Sequence, residues 1–199
     1  WRKTMISAVV LASGFSSRFG SDKLLSDFKG KEVIRWVLDN CLESRLDEII
    51  VVYRRTELLS LLINLPIKFI ENKMAHSGMS ASVKLGISSL SDESTGCMIL
   101  MGDQPLFGKD DINLMIDRFS NNEVLIVASH HGKRRNPVIF PRKYYGDLLA
   151  SSGDKGGRDI IDNDAEKILI DFDASKLMDI DSVSDLEQLT IDVEEMYDV

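Results

Sequence analysis

Two hydrophobic periods alternate along the chain. Uninterrupted apolar runs at residues 6–11, 48–53 and 97–101 suit strands buried on both faces of a parallel sheet. Shorter runs at 67–70, 123–128, 137–140 and 167–170 predict further strands. Between them Val33, Ile34, Val37, Leu38, Cys41 and Leu42 recur near every 3.6 residues, which predicts a helix over 32–46 with Trp36 off its apolar stripe. The same spacing predicts a short helix over 57–63, one that presents Met79, Val83, Ile87 and Leu90 on one face, and one over 111–119. The segment 178–186 leads into a last helix, for which Ser184 and Glu187 form a capping box. The strand at 137–140 is expected to run antiparallel after a polar hairpin at 131–134, and His130 and His131, as neighbours on a strand, to face opposite sides. Strand and helix in this rhythm predict right-handed crossovers and an α/β fold with a doubly wound, mixed but mostly parallel sheet.

Composition narrows the class. The 199 residues suit one domain spanning 1–199. No apolar run reaches the length of a membrane span, and the first residues, WRKTMIS, lack the apolar core of a signal peptide; a cytoplasmic protein is expected. Cys41 and Cys97 both sit inside apolar patterns and read as small buried hydrophobes. The formal net charge of −8 argues against nucleic acid as a partner. A polyphosphate remains compatible, because a local cluster of cations and backbone N–H groups decides its binding at short range.

Such a cluster follows the first strand. Residues 13–20, SGFSSRFG, form a loop whose small residues leave backbone N–H groups uncovered, and Arg18 and Lys23 add two cations. The spacing matches neither the P-loop pattern nor the dinucleotide fingerprint. The strand at 97–101 ends in Gly102-Asp103-Gln104-Pro105. In open α/β sheets ligands lie beyond the carboxyl ends of strands, so Asp103 can serve a divalent cation there. Residues 77–83 form a small-residue helix entry suited to polar ligand edges. Residues 135–141 and 152–159 bring basic and small residues to loop ends, which suits a second anion, with Arg158 at a helix start. Asp179 and Asp181 alternate along an extended segment and so share a face. His76, His130 and His131 lack partners at ligand spacing and read as structural.

The run L-A-x-G-x-S-x-R-x-G-x-x-K-L-L, with G-M-S-x-S-V, G-D-Q-P, N-P-V-x-F followed by G-D-x-G-x-R, and D-I-D-S-x-x-D-L, resembles the MobA-like nucleotidyltransferases. Within them it is most similar to the molybdenum cofactor cytidylyltransferases. Ser13 and Phe19 depart from their usual Ala and Met, and Asp22 is shared with their guanylyltransferase relatives. The resemblance implies a Rossmann-like fold of the nucleotide-diphospho-sugar transferase type and transfer of CMP from CTP to the terminal phosphate of molybdopterin. It assigns the nucleotide to Leu11, Ala12, Ser13, Gly14, Arg18, Lys23, Gly78, Ser80 and Ser82, and catalysis to Arg18, Lys23 and Asp103. Mg²⁺ falls to Asp103 and Asp181, with Asp179 as the alternative to Asp181, and the acceptor to Asn136, Gly157 and Arg158. A molybdoenzyme is the implied recipient of the product. A guanylyl- or sugar-phosphate nucleotidyltransferase and a non-catalytic nucleotide-binding protein are the rival readings.

Overall fold

The computed structural model describes residues 4–15, 19, 22–62 and 64–197, without the side chains of residue 121 and of 191–197. Arg18 and Trp1 therefore lie outside the described residues.

The apolar run at the start forms β1 (Ile6–Ala12), buried along its whole length. A small ribbon, β2 (Asp27–Phe28) and β3 (Lys31–Glu32), precedes α1 (Val33–Glu43), β4 (Glu48–Tyr53), α2 (Glu57–Leu62) and β5 (Lys68–Glu71). Then come α3 (Met79–Ser88), β6 (Gly96–Met101), α4 (Lys109–Asn122), β7 (Ile126–His130) and β8 (Lys133–Pro141). The short helices α5 (Tyr145–Ala150) and α6 (Arg158–Asn163), strand β9 (Ile168–Asp171) and helix α7 (Val183–Tyr197) complete the order.

Seven strands form one sheet in the order β5-β4-β1-β6-β8-β7-β9. Strand β1 runs parallel to β4 and β6, and β4 to β5, whereas β8 is antiparallel to both β6 and β7. The mixed, mostly parallel α/β sheet expected from the strand–helix rhythm is thus present. Helices α1, α2 and α4 bury Leu38, Leu58 and Met115 on one face of the sheet, and α3, α5 and α6 bury Val83, Leu148 and Ile161 on the other. The chain leaves β1 toward β4 and returns to its opposite side at β6. A crevice opens where strand order reverses in this way, beyond the carboxyl ends of the two strands. Ser13-Gly14 follows one of those ends and Asp103 the other.

Three local expectations need correction. Strand β7 begins at Ile126, not at 123, because Glu123 takes a left-handed conformation (φ 51°) and caps α4 by donating its N–H to Phe119 O. His131 is no strand residue: it occupies the tight turn between β7 and β8 with φ 48°, and its ring lies 4.1 Å from that of His130 instead of on the opposite side. At α7 the capping pair is Ser182 and Asp185, two residues earlier than Ser184 and Glu187. The Ser182 Oγ accepts from Asp185 N (3.2 Å) while Asp185 Oδ2 accepts from Ser182 N (2.7 Å).

Candidate active site

A cavity of about 370 Å³ lies at the crevice. Leu11, Ser13, Gly14 and Phe15 line it from the end of β1, Lys23 and Leu24 from the following loop, and Gly78, Met79 and Ser82 from the start of α3. Met101 and Asp103 reach it from β6, and Asp179 and Asp181 from the segment before α7.

That last segment is held against β6 by its backbone. The Ile180 N–H donates to Asp103 O (3.0 Å), and the Gln104 side-chain amide donates to Leu177 O (3.1 Å). Ile180 turns inward among Phe19, Phe28, Val33 and Leu189. Alternation then sends both Asp179 and Asp181 to the cavity. Asp185 adds a second restraint by accepting from Asp181 N (2.9 Å).

Lys23 stands between the two acidic segments. Its Nζ lies 2.5 Å from Asp103 Oδ2 and 3.0 Å from Asp181 Oδ1. Burial acts to lower its pKa, but Asp103, with Asp181 behind it, outweighs that and raises it above the ordinary lysine value. The ammonium is therefore fully charged at neutral pH. Asp179 behaves oppositely: the protein packed around its carboxyl, with Asp103 and Asp181 close by, pushes its pKa up to about 6, although the residue keeps solvent contact across the open cleft.

The donor set suits a hard divalent cation. Two carboxylates converge from separate segments, a cationic ammonium already sits between them, and Asp103 Oδ1 is buried with no partner among the described residues. No group of three or more His, Cys, Asp or Glu among the described residues could hold a metal by itself. Phosphate oxygens and water would complete the shell, as is usual for Mg²⁺.

A buried polar cluster forms another wall. Ser13 Oγ and Ser82 Oγ lie 2.5 Å apart, and Asn72 Nδ2 donates to Ser82 Oγ (2.9 Å) and to Ser13 Oγ (3.4 Å). Asn72 is held in turn by the Met74 N–H on its Oδ1 (2.9 Å). One serine hydrogen is spent within the pair, so one remains for a ligand acceptor. Arg54, at the end of β4, supports the loop above: it donates to Gly14 O (3.4 Å) and its guanidinium lies 4.6 Å from the Phe15 ring.

Not every expected site residue meets the cavity. Leu11, Ser13, Gly14, Lys23, Gly78, Ser82, Asp103 and Asp181 line it, whereas Ala12 packs into the core behind it. Ser80 also turns away: its Oγ and N–H both donate to Gly153 O, so it ties α3 to the loop before α6. Asp154 of that loop accepts from Met79 N (3.1 Å), which leaves two N–H groups of the α3 N-terminus already engaged. Gly78 is required at this joint, with φ +90° and space for a Cβ only 2.5 Å from Asp154.

A second cavity of about 320 Å³ adjoins the first and shares Met79, Met101 and Asp179 with it. Its floor is apolar, with Ile99, Val138 and Phe140, and its rim carries Arg134, Arg135, Asn136, Lys155 and Arg158. Arg134 pairs with Asp162 and Lys155 with Asp159, but Arg135 and Arg158 have no carboxylate partner among the described residues. Gly157 does not line this cavity. It has φ +91°, and a Cβ would stand 2.9 Å from Leu148 and Phe140, so its role is packing behind the site.

Asn72 and Arg54 were not singled out by the sequence patterns, whereas Arg135 and Asp154 lie in the segments 135–141 and 152–159. Asn72 ends a strand, as Ser13 and Asp103 do, and that shared position is the signal that could have found it.

The family model makes the chain a nucleotidyltransferase, and the fold and the cleft agree with it. More narrowly, the chain belongs to the MobA-like NTP transferase domain family, whose model matches residues 8–168. It is 29% identical over 202 residues to the purine catabolism protein PucB of Bacillus subtilis (strain 168), covering 94% of this chain and 97% of that protein. It is 32% identical over 123 residues to a probable molybdenum cofactor guanylyltransferase of Aquifex aeolicus (strain VF5), covering 60% of this chain and 58% of the relative. The fold is that of Rv0371c from Mycobacterium tuberculosis H37Rv, at a TM-score of 0.81 and 23% identity over 94% of this chain and 98% of the other. A manganese complex of the same protein superposes with a TM-score of 0.77, at 21% identity over 94% of this chain and 99% of the other.

Proposed function

We propose that this chain transfers CMP from CTP to the terminal phosphate of molybdopterin, releasing pyrophosphate, for delivery of the product to a molybdoenzyme. The observation that carries the reading is the pair of adjoining cavities, one built around Lys23, Asp103 and Asp181 and the other rimmed by Arg135 and Arg158. Two adjoining cavities are what transfer between a nucleotide and a phosphorylated acceptor requires. The name of the Aquifex relative supports the acceptor.

Asp103 and Asp181 would hold Mg²⁺, which supplies charge neutralisation on the phosphate oxygens. An oxygen of the acceptor phosphate attacks the α-phosphorus, the bond from that phosphorus to the β-bridging oxygen breaks, and pyrophosphate leaves with the electron pair. The nucleophile is anionic at neutral pH, so no side chain must remove a proton. Catalysis then rests on alignment and charge stabilisation. Lys23 neutralises the leaving pyrophosphate, together with Arg18. Asn136 and Arg158 orient the acceptor, and Ser13 and Ser82 offer their remaining hydroxyl hydrogen to an acceptor edge such as O2 or N3 of cytosine.

A second reading, guanylyl transfer, is favoured by Asp154, a carboxylate at the cavity that could accept from the two adjacent N–H donors of guanine. Pyrophosphate release measured with molybdopterin, Mg²⁺ and each of CTP, GTP, ATP and UTP decides between them. Release with CTP alone is expected. Release with GTP alone moves the chain to the sister activity, and silence with all four removes the proposal.

A further inference from the structure

Lys23 Nζ lies between Asp103 and Asp181, the two carboxylates proposed above to hold the divalent cation. The contacts are short, 2.5 Å and 3.0 Å, and the side chain is only 13% exposed, so the ammonium is enclosed between the carboxylates and does not merely lie near them. Both carboxylates are held independently of it. Asp103 continues from β6 and carries the Ile180 N–H on its own carbonyl, and Asp181 is fixed through Asp185. Two like charges brought together in a partly desolvated cleft repel unless a cation is shared between them. The chain supplies that cation itself, on a flexible four-carbon stem able to move as a unit.

We propose that Lys23 is a tethered stand-in for the divalent ion: its ammonium keeps Asp103 and Asp181 assembled in the nucleotide-free protein and is exchanged for the metal when the nucleotide arrives. The inference rests on the nucleotidyltransferase reading of the cleft for the identity of the incoming ligand. The displaced ammonium moves to the phosphates, so one positive charge leaves the carboxylates as the metal arrives and no unpaired charge is stranded. Metal binding without nucleotide is then weak, because the ammonium must be expelled with no anion to receive it. Nucleotide and metal reinforce one another, since each supplies what the other's entry displaces.

Mn²⁺ binding to the full-length, nucleotide-free protein, followed by electron paramagnetic resonance, tests this without reference to turnover. Lys23→Met is expected to bind Mn²⁺ about tenfold or more tightly than wild type, the loss of a charge-assisted bond to each carboxylate being the competition removed. Arg55→Met removes a cation that pairs with Asp22 and Glu57, outside the carboxylate pair, and should change Mn²⁺ affinity by less than about twofold. Equal tightening in the two variants would mean a general field effect and overturn the exchange. Unchanged or weaker Mn²⁺ binding in Lys23→Met would overturn it as well.

Should Lys23→Met fail to fold, the wild type gives the answer through the ¹⁵N resonance of the Lys23 ammonium. That signal should persist with Mg²⁺ alone and shift when Mg²⁺ and CTP are added together; a shift with Mg²⁺ alone, or none with both, removes the proposal. Tightened Mn²⁺ binding in a protein that releases no pyrophosphate would support the exchange while overturning the transferase reading.

Discussion

Asp103 is 6% exposed, contacts Lys23, and has one oxygen without a partner among the described residues. Asp103→Ala is expected to lower pyrophosphate release by about 10²-fold or more, the size of effect seen when one preorganised electrostatic group is lost. Circular dichroism should show the fold retained. Arg158, by contrast, touches only the second cavity. Arg158→Ala should raise KM for the acceptor roughly tenfold or more, the worth of one hydrogen bond to a charged group, and leave KM for CTP unchanged. A rise in both constants would place Arg158 elsewhere. Ser13 and Asp103 were legible as cleft residues because each follows a strongly apolar strand, whereas Asn72 and Arg54 also follow strands and were passed over. Ser80 faces away from the cavity for a reason the sequence does not carry. Spacing places a residue near a site, but whether its polar atom turns to the ligand or to a neighbouring loop depends on partners more than seventy residues away, as in the bond from Ser80 to Gly153.

Elements position those side chains, and here caps matter more than helix length. Asp185 serves the start of α7 and the approach of Asp181 at once, through its bonds from Asp181 N and Ser182 N. Asp185→Ala should cost about 1 kcal/mol of stability as a lost cap. It should also weaken Mn²⁺ binding in the presence of nucleotide, which a purely stabilising cap would leave unchanged. The helices were readable from their periodicity, and α1, β4 and β6 fall within a few residues of expectation. What escaped was turn chemistry. The capping pair at α7 moved by two residues because Ser-x-x-Asp and Ser-x-x-Glu overlap in SVSDLE, and only backbone geometry chooses between them. The close, tilted rings of His130 and His131 follow from a two-residue turn whose left-handed conformation a strand pattern cannot announce.

For the molecule as a whole, acid sensitivity can be assigned. Asp164 is buried; burial alone would raise its pKa, but bonds from the Tyr144 hydroxyl (2.6 Å) and the Glu166 N–H (2.7 Å) outweigh that and hold it below its ordinary value. A group whose folded pKa is lowered contributes stability above its unfolded pKa and loses it as pH falls through the folded one. The contribution of Asp164 should therefore be full above about pH 5 and fade below about pH 4. Asp164→Asn is expected to cost roughly 1–3 kcal/mol in urea unfolding at pH 7 and to converge with wild type in strong acid. The general architecture was legible, since buried runs alternating with amphipathic helices leave few topologies open. The joint between α3 and the loop at 153–154 was not, because nothing local in either segment names the other.

The sheet order has a consequence for the making of the protein. Among the strands of the sheet β1 is made before all others, yet its neighbour β6 is made some ninety residues later, and Asp181 only after the last strand of the sheet. At the usual pace of about 5–20 residues per second, the loop carrying Lys23 waits several seconds for the first of its carboxylates and longer for the second. The cleft is thus finished only after the sheet, and no nascent chain can hold both Asp103 and Asp181 before translation has passed β9.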